Sequence, residues 1–375
     1  MITTLAIRNL FHDKISLAVT IVGILFSVVL VAVQLGIYAG TSRTITSVID
    51  HANGELWIAA YGTKSIEESG VLTGNERYAA LATLGVDQVY PIVAAFNSWK
   101  RPDGANQLCV IIGTDISRDG LLPWNIVEGQ LSTLKLPDAI TADRTYFSYL
   151  GITGIGTTAE VNGQRVRITA ITQGIRSFTT TPYIFTTLKQ ARRLLGISSQ
   201  SASFYLVKIA PGADVSAVQA SLKHKLPKLD ILTTEEFKRR SIAHWLFGTG
   251  AGIALIGGAL LGMLVGTVIV AQTLYASTKD HLNEFATLRA LGSSSLYIHK
   301  VILAQAGLSA VAGYGLGMII AMSVVLLSAN SKLEIMMTPS LAVGLFALTL
   351  FMCAISAVSA IIKVTRIDPA VVFSR

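Results

Sequence analysis

The chain has 375 residues, a net charge of +8 and only 14% charged side chains, where a soluble domain carries about a quarter. Its mean hydropathy is +0.57, and Lys, Arg, Asp and Glu are absent from Ile15–Ser42, Ser241–Thr278, Val301–Ser331 and Ile335–Ile362. Each run exceeds the ~20 residues that carry a helix across a ~30 Å hydrocarbon core, which excludes a soluble globular protein because too little polar surface would remain.

A backbone at membrane depth must satisfy its own hydrogen bonds, so the four runs are expected to be helices. The fold class is therefore a polytopic α-helical membrane protein, with four transmembrane helices and a mixed α/β extracytoplasmic domain between helices 1 and 2. Residues 1–14 form an amphipathic cytoplasmic segment containing Arg8 and Lys14. The first span, 15–39, has an apolar core too long for a signal peptide and no A-x-A cleavage pattern, so it reads as a retained anchor.

Residues 40–240 form the extracytoplasmic domain. Thr158–Ile171 reads as two alternating runs around Asn162-Gly163, a strong hairpin signal. Gln88–Trp99 and Leu108–Gly113 are strand-like, with the turn residues Pro102-Asp103-Gly104 between them. Phe204–Ile209 is another strand. Asp214 caps a helix that places Val215, Val218 and Leu222 on one face. Leu229–Leu232 is a further strand, and Thr234–Arg240 begins a helix. No breaker is evident from there, so one continuous helix is expected from about Thr234 to Tyr275, making 241–276 the second span with an outward stalk.

Trp57, Phe96 and Trp99 are candidate partner or cargo contacts, weighed against ordinary strand-packing core. The six histidines are scattered, none at metal-ligand spacing with Cys, Asp or Glu. No G-x-S-x-G nucleophile elbow and no G-x-x-x-x-G-K-[ST] phosphate loop occur. No catalytic residue, metal or cofactor is expected, and any ATP would be hydrolysed by another subunit. Cys109 and Cys353 define neither a disulfide framework nor a zinc site.

Gly258, Gly262 and Gly266 make a G-x-x-x-G-x-x-x-G ridge on the second span, with Gly313 and Gly317 repeating the spacing on the third. Small residues at that interval let helices approach closely. The ridge is a candidate dimer or bundle interface, against a generic glycine content. Residues 277–299 form a loop in which Leu282, Phe285, Leu288 and Leu291 recur every third residue. Asp280 and Glu284 come early and Arg289 late, as a helix dipole favours, and Gly292 is placed to end the helix. Such a helix either lies among lipid headgroups or docks into a partner and transmits its motion. Spans three and four cover 300–328 and 340–363, joined by a short outer loop, 329–339, and followed by the tail 364–375.

Orientation follows the bias of Lys and Arg in short segments. The start (Arg8, Lys14), the loop (Lys279, Arg289, Lys300) and the tail (Lys363, Arg366, Arg375) are basic, whereas the outer loop balances Lys332 with Glu334. Both termini are thus expected in the cytoplasm. The long segment Arg43–Arg240 holds 21 Lys and Arg against 17 Asp and Glu, but long domains translocate regardless of charge. The positive charge is no argument for nucleic acid. About half of it lies at cytoplasmic edges that face anionic lipid.

The loop Ser277–Gly292, ending Arg289-Ala290-Leu291-Gly292, resembles the coupling helix of the FtsX/MacB-type ABC permease superfamily. The start Ala6-Ile7-Arg8-Asn9-Leu10, the tail Arg366-Ile367-Asp368-Pro369-Ala370 and the order of one span, a large domain and three spans resemble the same superfamily. Asn53–Leu56, Phe96–Pro102, Leu136-Pro137-Asp138 and Asp280–Gly292 are similar to its DevC-like members. Gln305 departs from the pattern, since many relatives carry Glu there. The resemblance implies an inner-membrane homodimer working with an ABC ATP-binding subunit by mechanotransmission. Leu282, Glu284, Phe285, Leu288, Arg289, Leu291 and Gly292 would then couple to the ATPase. The DevC-like likeness further implies a membrane-fusion adaptor and a TolC-type outer-membrane channel for export. The FtsX branch implies instead a transmembrane regulator of a cell-wall hydrolase. A third reading is an orphan membrane receptor without an ATPase.

Overall fold

The computed structural model describes residues 2–290, 292–328 and 331–365. It divides into a helical unit and an α/β unit.

The helical unit is built on α1 (Ile2–His12), the first part of α2 (Lys14–Asp50), α8 (Ala251–Asp280), α9 (Leu282–Ala290), α10 (Ser295–Ser328) and α11 (Pro339–Thr365). Among the described residues four helices, α2, α8, α10 and α11, are long and apolar enough to cross a membrane. Two glycine ridges grip α2. On α8, a Cβ added at Gly258, Gly262 or Gly266 would lie within 3 Å of Gln34, Leu30 or Ser27, respectively. On α10, a Cβ at Gly313 or Gly317 would crowd Ile24 or Val28 in the same way. With no side chain on those faces, α2 can lie directly on both neighbours. Buried hydroxyls add links between helices: Ser27 Oγ on α2 donates to the Gly262 carbonyl on α8 (2.8 Å), and Ser356 Oγ on α11 to that of Thr267 on α8 (2.9 Å).

The α/β unit follows in the order β1 (Leu56–Ala60), α3 (Asn75–Leu81), β2 (Val86–Lys100), β3 (Asn106–Thr114), β4 (Ile126–Gly129), β5 (Ala139–Asp143), α4 (Phe147–Leu150), β6 (Thr158–Val161), β7 (Gln164–Thr172), β8 (Tyr183–Thr187), α5 (Leu188–Leu195), β9 (Phe204–Ile209), α6 (Val215–Lys225), β10 (Leu229–Thr233) and α7 (Thr234–Ile242). The main strand path is β10-β1-β9-β2-β6-β7-β4, with β3 pairing β2 and β8, and β5 pairing β7. The 15-residue β2 changes partner along its length. Val86–Ile92 runs antiparallel to β9, and Val93–Lys100 runs antiparallel to β3. One strand thereby serves all three cores of the unit. The first gathers Trp57, Tyr90, Phe185, Phe204 and Phe237, the second Trp99, Cys109, Tyr146, Ile168 and Leu194, and the third Leu56, Val89, Tyr205 and Val207.

The local signals read in the sequence act as expected. Asn162 (φ +48°) and Gly163 (φ +72°) turn β6 into β7, the two left-handed residues that a type I′ hairpin needs. Asp214 accepts hydrogen bonds from the Ser216 and Ala217 amides and so caps α6. The structure adds a cap that the sequence reading did not name, a reciprocal capping box of Thr233 and Glu236 at the start of α7.

One expectation fails. The helix from Thr234 to Tyr275 is not continuous. After α7 the backbone widens into a π-helical turn at Ala243–Gly248 and then breaks at Thr249-Gly250, where Gly250 adopts φ +79° before α8 begins. A π turn leaves the 3.6-residue period, and a left-handed residue cannot continue a right-handed helix. Glycine at that position was the available warning. By contrast, α2 runs without a break through 37 residues, from Lys14 to Asp50.

Candidate coupling helix

The segment between α8 and α10 forms the short helix α9. The His281 amide donates to the Ser277 carbonyl (3.2 Å) and the Phe285 amide to that of His281 (3.1 Å), so α9 follows α8 with a one-residue interruption. Its end is a Schellman closure. Gly292 takes φ +94° and the Ser293 amide donates to the Leu288 carbonyl at 3.0 Å. Gly292 thus occupies the terminating position expected from the sequence.

Of the apolar stripe, Phe285 and Leu288 face the chain itself. Phe285 is 3% exposed and packs in one cluster with Ala6, Val270, Leu274, Ile298, Val301 and Ile302, and Leu288 packs against that cluster. Burying a phenylalanine is worth about 2 kcal/mol, so these residues anchor α9 to α1, α8 and α10. Glu284 lies on the outer face, its side chain 59% exposed, and Thr287 is exposed beside it. The side chains of Leu282 and Arg289 are not described, and Leu291 lies outside the described residues.

A residue that the pattern did not single out ties this end together. His281 is buried, its Nδ1 stands 3.3 Å from Glu284 Oε2, and its ring lies 5.7 Å from that of His12 on α1. The i, i+3 spacing of His281 and Glu284 was the available clue. Gln305 is buried within α10.

The glycine ridge Gly258, Gly262 and Gly266 meets α2 of the same chain. Its surface is occupied within the bundle. The aromatic candidates separate. Trp57 is fully buried between Phe204 and Phe237, and Trp99 is fully buried with its indole N–H donating to the Leu150 carbonyl at 3.0 Å. Neither can touch a partner or cargo, and both are core, as large aromatics on paired strands commonly are. Phe96 remains at the surface, 39% exposed. Among the described residues no three His, Cys, Asp or Glu side chains are placed to hold a metal.

Two family models match the chain in succession. The MacB-like periplasmic core domain matches residues 17–225, and the FtsX-like permease C-terminal domain matches residues 256–369. Among solved structures, the periplasmic region of MacB from Actinobacillus actinomycetemcomitans is 11% identical, covering 51% of this chain and 94% of that one with a TM-score of 0.38. The extracellular domain of the noncanonic ABC-type transporter YknZ from Gram-positive bacteria is also 11% identical, covering 48% and 98% with a TM-score of 0.35. A domain of a permease protein from Porphyromonas gingivalis is 10% identical, covering 49% and 90% with a TM-score of 0.34. No curated protein matches the chain. Four apolar helices with an α/β domain between the first and second, matched across both parts by these models, make this chain a multi-pass inner-membrane protein that belongs to the MacB/FtsX-type ABC permease family.

Proposed function

We propose that the chain is the membrane subunit of an ABC-type export complex that converts ATPase motion into work by its α/β domain. Family membership implies a nucleotide-binding partner and a dimer. The chain's lack of a phosphate-cradling loop agrees with ATP being bound elsewhere. The four apolar runs at the heart of its spans lack Lys, Arg, Asp and Glu, which favours force transmission over a hydrophilic conduit.

The observation that carries the reading is the anchoring of α9. Phe285 and Leu288 fix it to the helical core while Glu284 and Thr287 face outward, so a push on the outer face must move the helices to which α9 is fastened. The ATPase contact is therefore assigned to the Glu284 face, with Phe285 and Leu288 as the fasteners behind it. The relay is assigned to α2, which is unbroken, and the Thr249-Gly250 break acts as a joint on the α8 side. On the far side of the membrane the α/β domain works with a membrane-fusion adaptor and a TolC-type outer-membrane channel.

Affinity purification of the tagged chain from its native membranes tests this. Stoichiometric recovery of an ABC ATPase with an adaptor supports export. An ATPase recovered with a wall hydrolase would replace export by the FtsX-like regulatory role. Recovery of the chain with no ATPase would end both readings.

A further inference from the structure

A second site lies in the α/β unit, away from the coupling helix. A cavity of about 170 Å³ opens between α3, α5, β9 and the loop before β9, and Arg77, Arg192, Asp115 and Tyr205 contribute to its lining. Drug-sized ligands occupy about 300–1,000 Å³, so this space suits only a small group.

Its charge is unbalanced. Arg192 Nε donates to the Ser201 carbonyl at 2.8 Å, which fixes that side chain without neutralising it. Arg77 Nε is sealed from solvent and has no hydrogen-bond partner. Among the described residues neither guanidinium reaches a carboxylate. Asp115 is engaged by Arg118 (3.3 Å) and by the Ser117 amide (3.1 Å). Glu76, beside Arg77 in sequence, spends its carboxylate on Thr73 and the Gly74 amide. Burial, with Arg77 adding like charge, lowers the Arg192 pKa from its ordinary value, and burial raises that of Tyr205 to about 12, so its hydroxyl stays neutral. Two half-buried guanidinium groups line one cavity whose carboxylate, Asp115, is already paired with Arg118, and partly desolvated like charges are stabilised when an anion joins them. Guanidinium forks match the oxygens of phosphate or sulfate groups.

We propose that the Arg77–Arg192 cavity is a binding site for a small phosphate- or sulfate-type oxyanion, either free or as the head of a larger ligand.

The test is equilibrium binding to the full-length protein in neutral detergent, with inorganic phosphate and short-chain phosphatidic acid as separate probes. One saturable site per chain is expected for at least one probe. Arg77→Gln and Arg192→Gln should each weaken it by about tenfold or more, the usual scale for losing a charge-assisted bond. Arg77→Lys should retain part of the affinity, and the effect of salt should be steep. Phosphate binding without competition by the lipid would identify a free-ion site, and tighter lipid binding would identify a headgroup site. A structural role is read separately: phosphate should raise the Tm of the wild type but not of either Gln variant. No saturable binding of either probe, or binding unchanged in both Gln variants, would overturn the proposal.

Discussion

The hydroxyl of Ser27 on α2 donates to the carbonyl of Gly262 on α8 at 2.8 Å and also faces the Met352 sulfur on α11 at 3.6 Å. Three helices therefore meet around one small side chain. The meeting is possible because Gly266 leaves room: a Cβ there would fall 2.5 Å from Ser27 and 2.9 Å from Met352.

Gly266→Leu should accordingly lower bundle stability by about 1–3 kcal/mol, the range for overpacking a close contact. The control is Gly257→Ala, since a Cβ at Gly257 has nothing within 4 Å. Thermal unfolding of both variants in the same detergent checks this. Equal losses would mean that the Gly258–Gly262–Gly266 face is not the packing surface.

The two faces of α9 should separate genetically. Phe285→Asp places a carboxylate in a buried cluster, and the unpaired charge should destabilise the helical unit itself. Glu284→Arg changes an exposed residue and should leave folding intact while ATPase co-purification falls. Tm and pull-down yield measured on both variants distinguish these outcomes. Retained ATPase binding in Glu284→Arg would remove the outer face from the proposed coupling.

The number of spans, the β6–β7 hairpin and the caps at Asp214 and Gly292 were legible because each depends on nearby residues: an apolar run, a two-residue turn, a side chain reaching its own helix. What escaped depends on distant partners. The stripe at Phe285 and Leu288 has the same spacing whether it meets a foreign subunit or its own bundle. Trp99 was ambiguous until its indole nitrogen could be seen bonded to Leu150, 51 residues away. The glycine ridge announced a close approach but not that Ser27, Leu30 and Gln34 make it. The interruption before α8 had a local sign in Gly250, yet isolated glycines are common in apolar helices.

The capping box at Thr233 and Glu236 gives the α/β domain an acid sensitivity with a definite sign. Burial alone would raise the Glu236 pKa, but hydrogen bonds from the Thr233 amide and Gln219 and the charge of Lys223 together lower it from 4.5. A depressed carboxylate pKa contributes stability that is fully present above the unfolded value and is lost as pH falls through the folded one. Melting curves should therefore drop below about pH 4.5, and Glu236→Gln should flatten part of that drop. Thr233→Ala should cost about 1 kcal/mol at neutral pH, as loss of an N-cap does. An unchanged acid profile in Glu236→Gln would assign the drop to other groups.

Trp99 and Phe96 lie three residues apart on β2 and should behave oppositely. Trp99→Phe keeps most of the packing but orphans the Leu150 carbonyl, a loss of about 1–3 kcal/mol. Trp99→Ala opens the core and should cost about 3–5 kcal/mol. Phe96→Ala, at the surface, should change stability by no more than about 0.5 kcal/mol. Urea unfolding of the three variants, followed by the domain's circular dichroism, provides the comparison. If Phe96→Ala instead abolished adaptor recovery without unfolding the domain, the exposed ring would become a partner contact.

The orientation inferred from basic residues can be measured without first removing the native cysteines. Cys109 and Cys353 are both buried, and burial pushes the Cys109 thiol up to about 12, leaving almost no thiolate at pH 7 to react. An impermeant maleimide should therefore ignore the wild-type chain in intact cells. Lys228 and Lys279 are exposed, and α8, with its apolar span, lies between them in the chain. Lys228→Cys should react from outside the inner membrane, and Lys279→Cys only after the membrane is opened. Labelling of both in intact cells would contradict the reading of the basic loops and would place α9 beyond the reach of a cytoplasmic ATPase. The reversed pattern would invert the chain and have the same consequence, because nucleotide is supplied on one side only.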